Sequence, residues 1–163
     1  MAVWEGWCVV VKSTNGGAYI AGGVWDGGEG GLDGKRFDAG MNCQLAETAI
    51  GWIGHDRDKI AASEAERRLA ELRLAYPREA TYAMMNLVDS HDTDRLVSML
   101  KNPDRSYDRE NRVQDGSAYD GSKPDEVHYR RARLIALLQM TYVGAPMVYY
   151  GDEMGMWGAD DPV

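Results

Sequence analysis

The sequence predicts an α/β fold of four consecutive βα units with parallel strands. Three observations carry that reading. Apolar segments of strand length alternate with amphipathic segments of helical length, as βα crossovers require. A polar cluster follows each strand, and in parallel folds strand C-termini and helix N-termini converge there. The 163 residues, 44% of them hydrophobic, suffice for one domain (residues 1–163) with a sizeable core. They reach only about two-thirds of a ~250-residue closed barrel of eight units.

The elements follow in order. A helix carries Trp4, Trp7, Cys8 and Val11, and the turn Asn15-Gly16-Gly17 leads from it into a strand at 18–25 (AYIAGGVW). A Gly-rich loop reaches the second strand at 36–42 (RFDAGMN). Leu45, Ala49, Trp52 and Ile53 recur at helical steps. A further helix starts at Ser63, with Glu66 completing a capping box, and its stripe is Ala65, Leu69, Leu72 and Tyr76. Pro77 stops it. The third strand, 83–88 (AMMNLV), runs into Asp89-Ser90-His91-Asp92. After a long charged loop at 101–123, Ser122, Pro124 and Asp125 read as cap, first-turn proline and capping acid of a helix through Val127, Leu134, Ile135 and Leu138. Gly144 and Pro146 are read as ending it, and the fourth strand is placed at 147–150 (MVYY), before Gly151-Asp152-Glu153.

Eighteen Lys and Arg against 26 Asp and Glu leave a net charge of −8. This provides no cationic footprint for nucleic acid or an anionic membrane surface. Cys8 and Cys43 show no CxxC or Cys/His pattern, so both are expected to be buried and reduced, without disulfide or zinc. The first twelve residues lack the basic flank and apolar core of a signal peptide, and no run of ~20 apolar residues follows. A soluble, cytoplasmic protein is expected.

The densest polar cluster is Asp89 to Arg95, with an imidazole, three carboxylates and a guanidinium. From composition it reads equally as a reactive site or as a solvated, self-paired loop. One His with irregularly spaced Asp is weak as a metal site, and no metal or cofactor is expected. Trp25 and Trp157 suit either stacking on sugar faces or filling gaps between loop and sheet. Glu153, His55 and His128 receive structural readings, and the pairs Met84-Met85 and Met154/Met156 read as packing.

MNLVDSHDTDRLVSML resembles the segment at the end of the seventh barrel strand in the α-amylase superfamily, in its neopullulanase, cyclomaltodextrinase and maltogenic amylase branch. GAPMVYYGDEMGMWGADDP resembles that branch's eighth-strand segment, RFDAGMN its sixth and AYIAGGVWD its fifth. The resemblance implies half of a (β/α)8 TIM barrel, strands five to eight, and a retaining glycosidase ancestry with α-glucan substrates. Retaining enzymes need a nucleophile and an acid about 5–5.5 Å apart. The family's nucleophile follows its fourth strand, which is absent here, and Gly23 stands at the position of the acid/base Glu. Glu29, in the loop beyond, is too loosely placed to substitute. Asp92 matches the carboxylate that stabilises the transition state, and His91 matches its sugar-binding neighbour. Trp25 is the third substrate-binding candidate.

The resemblance therefore implies an α-glucan hydrolase fragment with impaired catalysis. Two alternatives stay open: a non-catalytic dimeric half-barrel, and a hydrolase of another class using a rim of Asp89, His91, Asp92 and Asp152. Four parallel strands leave two edges to cover, so a homodimer that completes the barrel is expected. Any α-glucan oligosaccharide is expected to bind weakly.

Overall fold

The computed structural model describes residues 2–23, 31–56, 59–103, 107 and 119–160. Helix α1 (Ala2–Thr14) leads to strand β1 (Ala21–Gly22), and β2 (Ala39–Gly40) is followed by α2 (Cys43–Ala49), which continues as a π-helical turn at Ile50–Gly54. Next come α3 (Ala62–Leu74), α4 (Arg78–Ala83), β3 (Met85–Asn86) and α5 (Leu96–Lys101). Helix α6 (Glu126–Thr141), β4 (Ala145–Pro146) and a 3₁₀ turn at Asp152–Met154 complete the described chain.

The strands are parallel, as expected. Ala21 pairs with Ala39 and Gly22 with Gly40, while Met85 pairs with Ala145 and Asn86 with Pro146. A parallel bridge from Met41 to Met85 joins the two pairs, so the order is β1-β2-β3-β4. All four strand ends therefore point one way. β1 and β4 each keep an outer edge without a strand partner among the described residues.

Each ladder is shorter than its apolar run. The fourth strand also lies upstream of the segment read for it. Ala145 N donates to Met84 O at 2.8 Å and Met147 N to Asn86 O at 2.9 Å, so these residues face β3. Pro146, between them, turns its nitrogen to the outer edge. A proline costs no ladder bond there, which is why it sits in the strand and does not end the helix. Helix α6 stops at Thr141.

Two caps also differ from expectation. α3 begins at Ala62 after Ala61, with no side-chain cap; Ser63 is inside the first turn, and the capping box with Glu66 does not form. Glu64 holds Arg67 and Arg68 instead, and Glu66 holds Arg73. For α6 the cap is Asp125, not Ser122: His128 Nδ1 accepts from the Asp125 amide at 3.1 Å. Ser122 and Asp120 bind Lys101, closing the base of the 101–123 loop. The loop's centre lies outside the described residues.

The apolar core gathers Ala49, Ile50, Val88, Leu96, Met99, Leu100 and Ile135 between α2, α5 and α6. Leu45, Leu69 and Leu72 pack α2 on α3. Leu32, Ala39, Ala80 and Met84 fill the space near β2 and α4. Cys8 and Cys43 are both buried, and neither is in a disulfide.

Amides tie the strands together. Asn42 Nδ2 donates to Asn86 Oδ1 at 2.8 Å, and Asn86 Nδ2 donates to Val143 O at 3.1 Å. Gln139 Nε2 donates to Asn86 O and Met147 O, at 2.9 and 2.8 Å. Gly144, at φ 126°, lets the chain pass this cluster; a Cβ there would sit 2.7 Å from Asn86 Oδ1.

Candidate active site

The cluster after β3 divides into a buried half and an exposed half. Ser90 N donates to Thr93 Oγ1 at 3.0 Å and Asp92 N donates to Ser90 Oγ at 3.1 Å, closing a tight turn whose corner is His91-Asp92. The two corner side chains reach solvent, 78% and 39% exposed, with Nε2 of His91 3.6 Å from Oδ1 of Asp92. They hold the exposed polar groups of the turn.

The other members of the cluster are structural. Asp89 is fully buried, and its Oδ2 accepts from Leu96 N at 2.9 Å, capping α5. Asp94 accepts from Tyr119 Oη at 2.6 Å. Arg95 lies over the rings of Tyr149 and Tyr150, 4.3 and 4.6 Å from their centroids, and donates to Tyr150 O. It also approaches Asp152 Oδ1 at 3.7 Å. With the Arg95 amide on Gly158 O at 3.0 Å and Gly158 N on Ser98 Oγ at 2.9 Å, the segment after β4 is strapped to α5. Burial chiefly, and then the neighbouring Asp152, push Asp89 up to about 9. Burial also raises Asp152. A rim built on Asp89 and Asp152 is thus corrected: neither carboxyl is presented to solvent as an exposed reactive pair.

Gly23 follows β1 and is exposed. Its φ lies outside the left-handed region. Among the described residues a Cβ there would meet Met41 Sδ alone, at 3.9 Å, an ordinary contact, so neither the backbone conformation nor these neighbours demand glycine. Met41 and Asn42 follow β2 directly, and Asn42 caps α2. Trp25, like Asp26 and Glu29, lies outside the described residues.

Trp157 is half-exposed, with the Lys123 ammonium 5.5 Å from its ring centroid. Glu153 Oε2 accepts from Gly151 N at 2.9 Å and shapes the turn after β4. His128 is a helix cap. Among the described residues no group of three or more His, Cys, Asp or Glu is placed to hold a metal ion. None of them forms a helix long and apolar enough to cross a membrane. A cavity of about 300 Å³ between α5, α6 and the 3₁₀ turn is lined by Leu96, Tyr129, Ala132, Asp152 and Met156. Gly23, His91 and Asp92 do not line it, so the cavity is separate from the strand-end cluster.

Sequence reasoning missed the Arg95–Tyr149–Tyr150–Asp152 strap and the Asn86 amide cluster. The first joins residues some 55 positions apart, which no local pattern displays. The second had one available signal, a lone Asn inside an apolar strand run.

The chain is 34% identical over 161 residues to neopullulanase 2 of Thermoactinomyces vulgaris, covering 99% of this chain and 23% of that protein. It is 36% identical over 160 residues to a cyclomaltodextrinase of Bacillus sp, covering 98% of this chain and 24% of that protein. The chain thus spans about a quarter of the length of these curated relatives. Among solved structures, an acarbose-soaked debranching enzyme of Nostoc punctiforme superposes with a TM-score of 0.77 at 29% identity, over 97% of this chain and 31% of that one. A cyclomaltodextrinase superposes with a TM-score of 0.76 at 34% identity, over 98% of this chain and 23% of that one. The family described as alpha amylase, catalytic domain, matches residues 1–161. Four parallel strands with their polar ends on one side, together with a match over nearly every residue, establish that the chain belongs to the alpha-amylase family and forms part of its catalytic barrel.

Proposed function

We propose that the chain is the half of an α-glucan-hydrolysing barrel that holds strands five to eight, that it binds α-glucan oligosaccharides weakly, and that it hydrolyses them poorly or not at all. The observation that carries this reading is the solvent-reaching Asp92 carboxylate beside His91 at the end of β3, in a chain matched throughout by the family's catalytic domain. Asp92 is the carboxylate that would steady the oxocarbenium-like charge of the transition state, and His91 would hold a sugar hydroxyl. In this reading proton donation is what is impaired, because Gly23 at the acid/base position offers no acid.

Assays on starch, pullulan and cyclodextrins test the reading. Absent or barely detectable release of reducing sugar is expected. Robust hydrolysis that disappears in Asp92→Asn would show that the site is complete after all. Maltotriose titrated by NMR should shift His91 and Asp92 with a millimolar dissociation constant, about 4 kcal/mol, because half a cleft encloses little of a ligand. Shifts that spare both residues would overturn the binding assignment.

A second copy of the chain is the proposed partner. Among the described residues β1 and β4 have outer edges without a strand partner, and the flanking helices expose apolar side chains, Trp4, Trp7, Val9 and Val10 on α1 and Leu134, Leu137 and Met140 on α6. Two copies related by a two-fold axis would cover both edges with both apolar faces. Its test is the mass in solution.

A further inference from the structure

Two buried oxygens face a shortage of donors where the end of β3 meets the segment after β4: Asp89 Oδ1 and Asp152 Oδ2 have no N–H or O–H partner among the described residues. Their sister oxygens are engaged. Asp89 Oδ2 takes the Leu96 amide at 2.9 Å, and Asp152 Oδ1 lies 3.7 Å from Arg95 Nη1. The two carboxyl groups adjoin each other closely enough to hydrogen-bond. As a pair of carboxylates they would bring acceptors together with nothing between them, and a buried acceptor left in that state is costly. A single proton removes the conflict, because one carboxyl then donates to the other.

We propose that Asp89 and Asp152 share one proton, and that this carboxyl–carboxylate clasp fastens the turn after β4 to the end of β3, holding it closed in acid and neutral solution and loosening it in alkali. The site lies below the His91-Asp92 corner and is independent of any sugar-binding role assigned there.

The groups facing the clasp set its balance. Arg95, from the start of α5, favours ionisation of both carboxyls. Glu153, in the same turn as Asp152, opposes it. The phenols of Tyr107 and Tyr149 also lie near Asp89, and burial raises both above their ordinary range, so neither carries charge at neutral pH. One guanidinium, half spent on the Tyr150 carbonyl, does not offset burial of two carboxyls, and both are shifted upward.

Urea unfolding of the full chain from pH 5 to 8.5 provides the test. The folded state holds one proton that the unfolded state has released, so the unfolding constant should rise about tenfold per pH unit. Asp152→Asn supplies a fixed N–H donor to Asp89 and should flatten that slope. Asp89→Asn, whose amide can still accept from Leu96 and donate to Asp152, should flatten it likewise and serves if the first variant does not fold. In the wild type, aspartate ¹³Cγ resonances should show one buried carboxyl that keeps its proton at pH 7. A wild-type slope near zero, a slope unchanged in a folded Asn variant, or aspartates all ionised by pH 6 would each overturn the proposal.

Discussion

Asn86 concentrates more structure than any neighbour of its size, because one fully buried amide serves three elements. Replacing it with Ala strands the Asn42 amide and frees the Val143 carbonyl, at about 1–3 kcal/mol for each buried group left unpaired. Urea denaturation should register a loss of about 3 kcal/mol. Gly144→Ala should cost about 2 kcal/mol, since it combines strain at φ 126° with a collision on the same amide. Asp92 stands at the opposite extreme: exposed and supporting nothing, it should tolerate Asn within ~0.5 kcal/mol, while the NMR response of the turn to maltotriose disappears. The contrast explains what was readable at this scale. His91 and Asp92 stood out through a resemblance over a contiguous motif, and the structure leaves both open to solvent. Asp89 and Asp94 belong to the same polar string, yet both are buried, and burial is not a local property of such a string.

At the scale of elements, the strongly patterned helices were legible and the short ones were not. α4 and α5 have six residues each, fewer than two turns, so their apolar spacing cannot be told from that of a strand. α4 takes Ala83 out of the run read as the third strand. The ladders were overestimated because an apolar run reports burial, while pairing needs a neighbour in register. The body of α6 was placed correctly although its cap and its stop were not, and Ile135, fully buried on it, seals the main core against Val88 and Leu96. Ile135→Ala should cost about 2–5 kcal/mol, and a thermal melt would show it. A loss below ~1 kcal/mol would mean that α6 is loosely docked.

For the whole molecule, charge and assembly give two expectations. Glu64, hydrogen-bonded by Arg67 and Arg68, and Asp120, hydrogen-bonded by Ser122 and Lys101, are both held down to about 2. Their folded values lie below the unfolded ones, so what they contribute is present above pH ~4 and lost as pH falls toward 2. Asp120 is exposed and Glu64 half-buried on the outer face of its helix, so solvent screens both and this acid limb should be shallow. The Asp89–Asp152 pair has the opposite sign: its contribution is greatest below pH ~4 and declines toward pH 9. The melting temperature should therefore peak in mildly acid buffer; a plateau from pH 6 to 9 would contradict this. Light scattering at micromolar concentration should give about twice 18.1 kDa, and a monodisperse mass of 18 kDa would remove the proposed second copy.

Pro146 also bears on how such assemblies end. On the outer side of β4 it presents a carbonyl and no N–H, so an incoming strand meets a missing rung at the position where pairing would nucleate. A defect repeated at every junction penalises open-ended stacking far more than a closed pair, in which it occurs only twice. On this reasoning Pro146 is expected to disfavour open-ended stacking. Pro146→Val restores the rung while keeping an apolar side chain suited to a strand, and should shorten the lag of thioflavin-positive aggregation on prolonged warming.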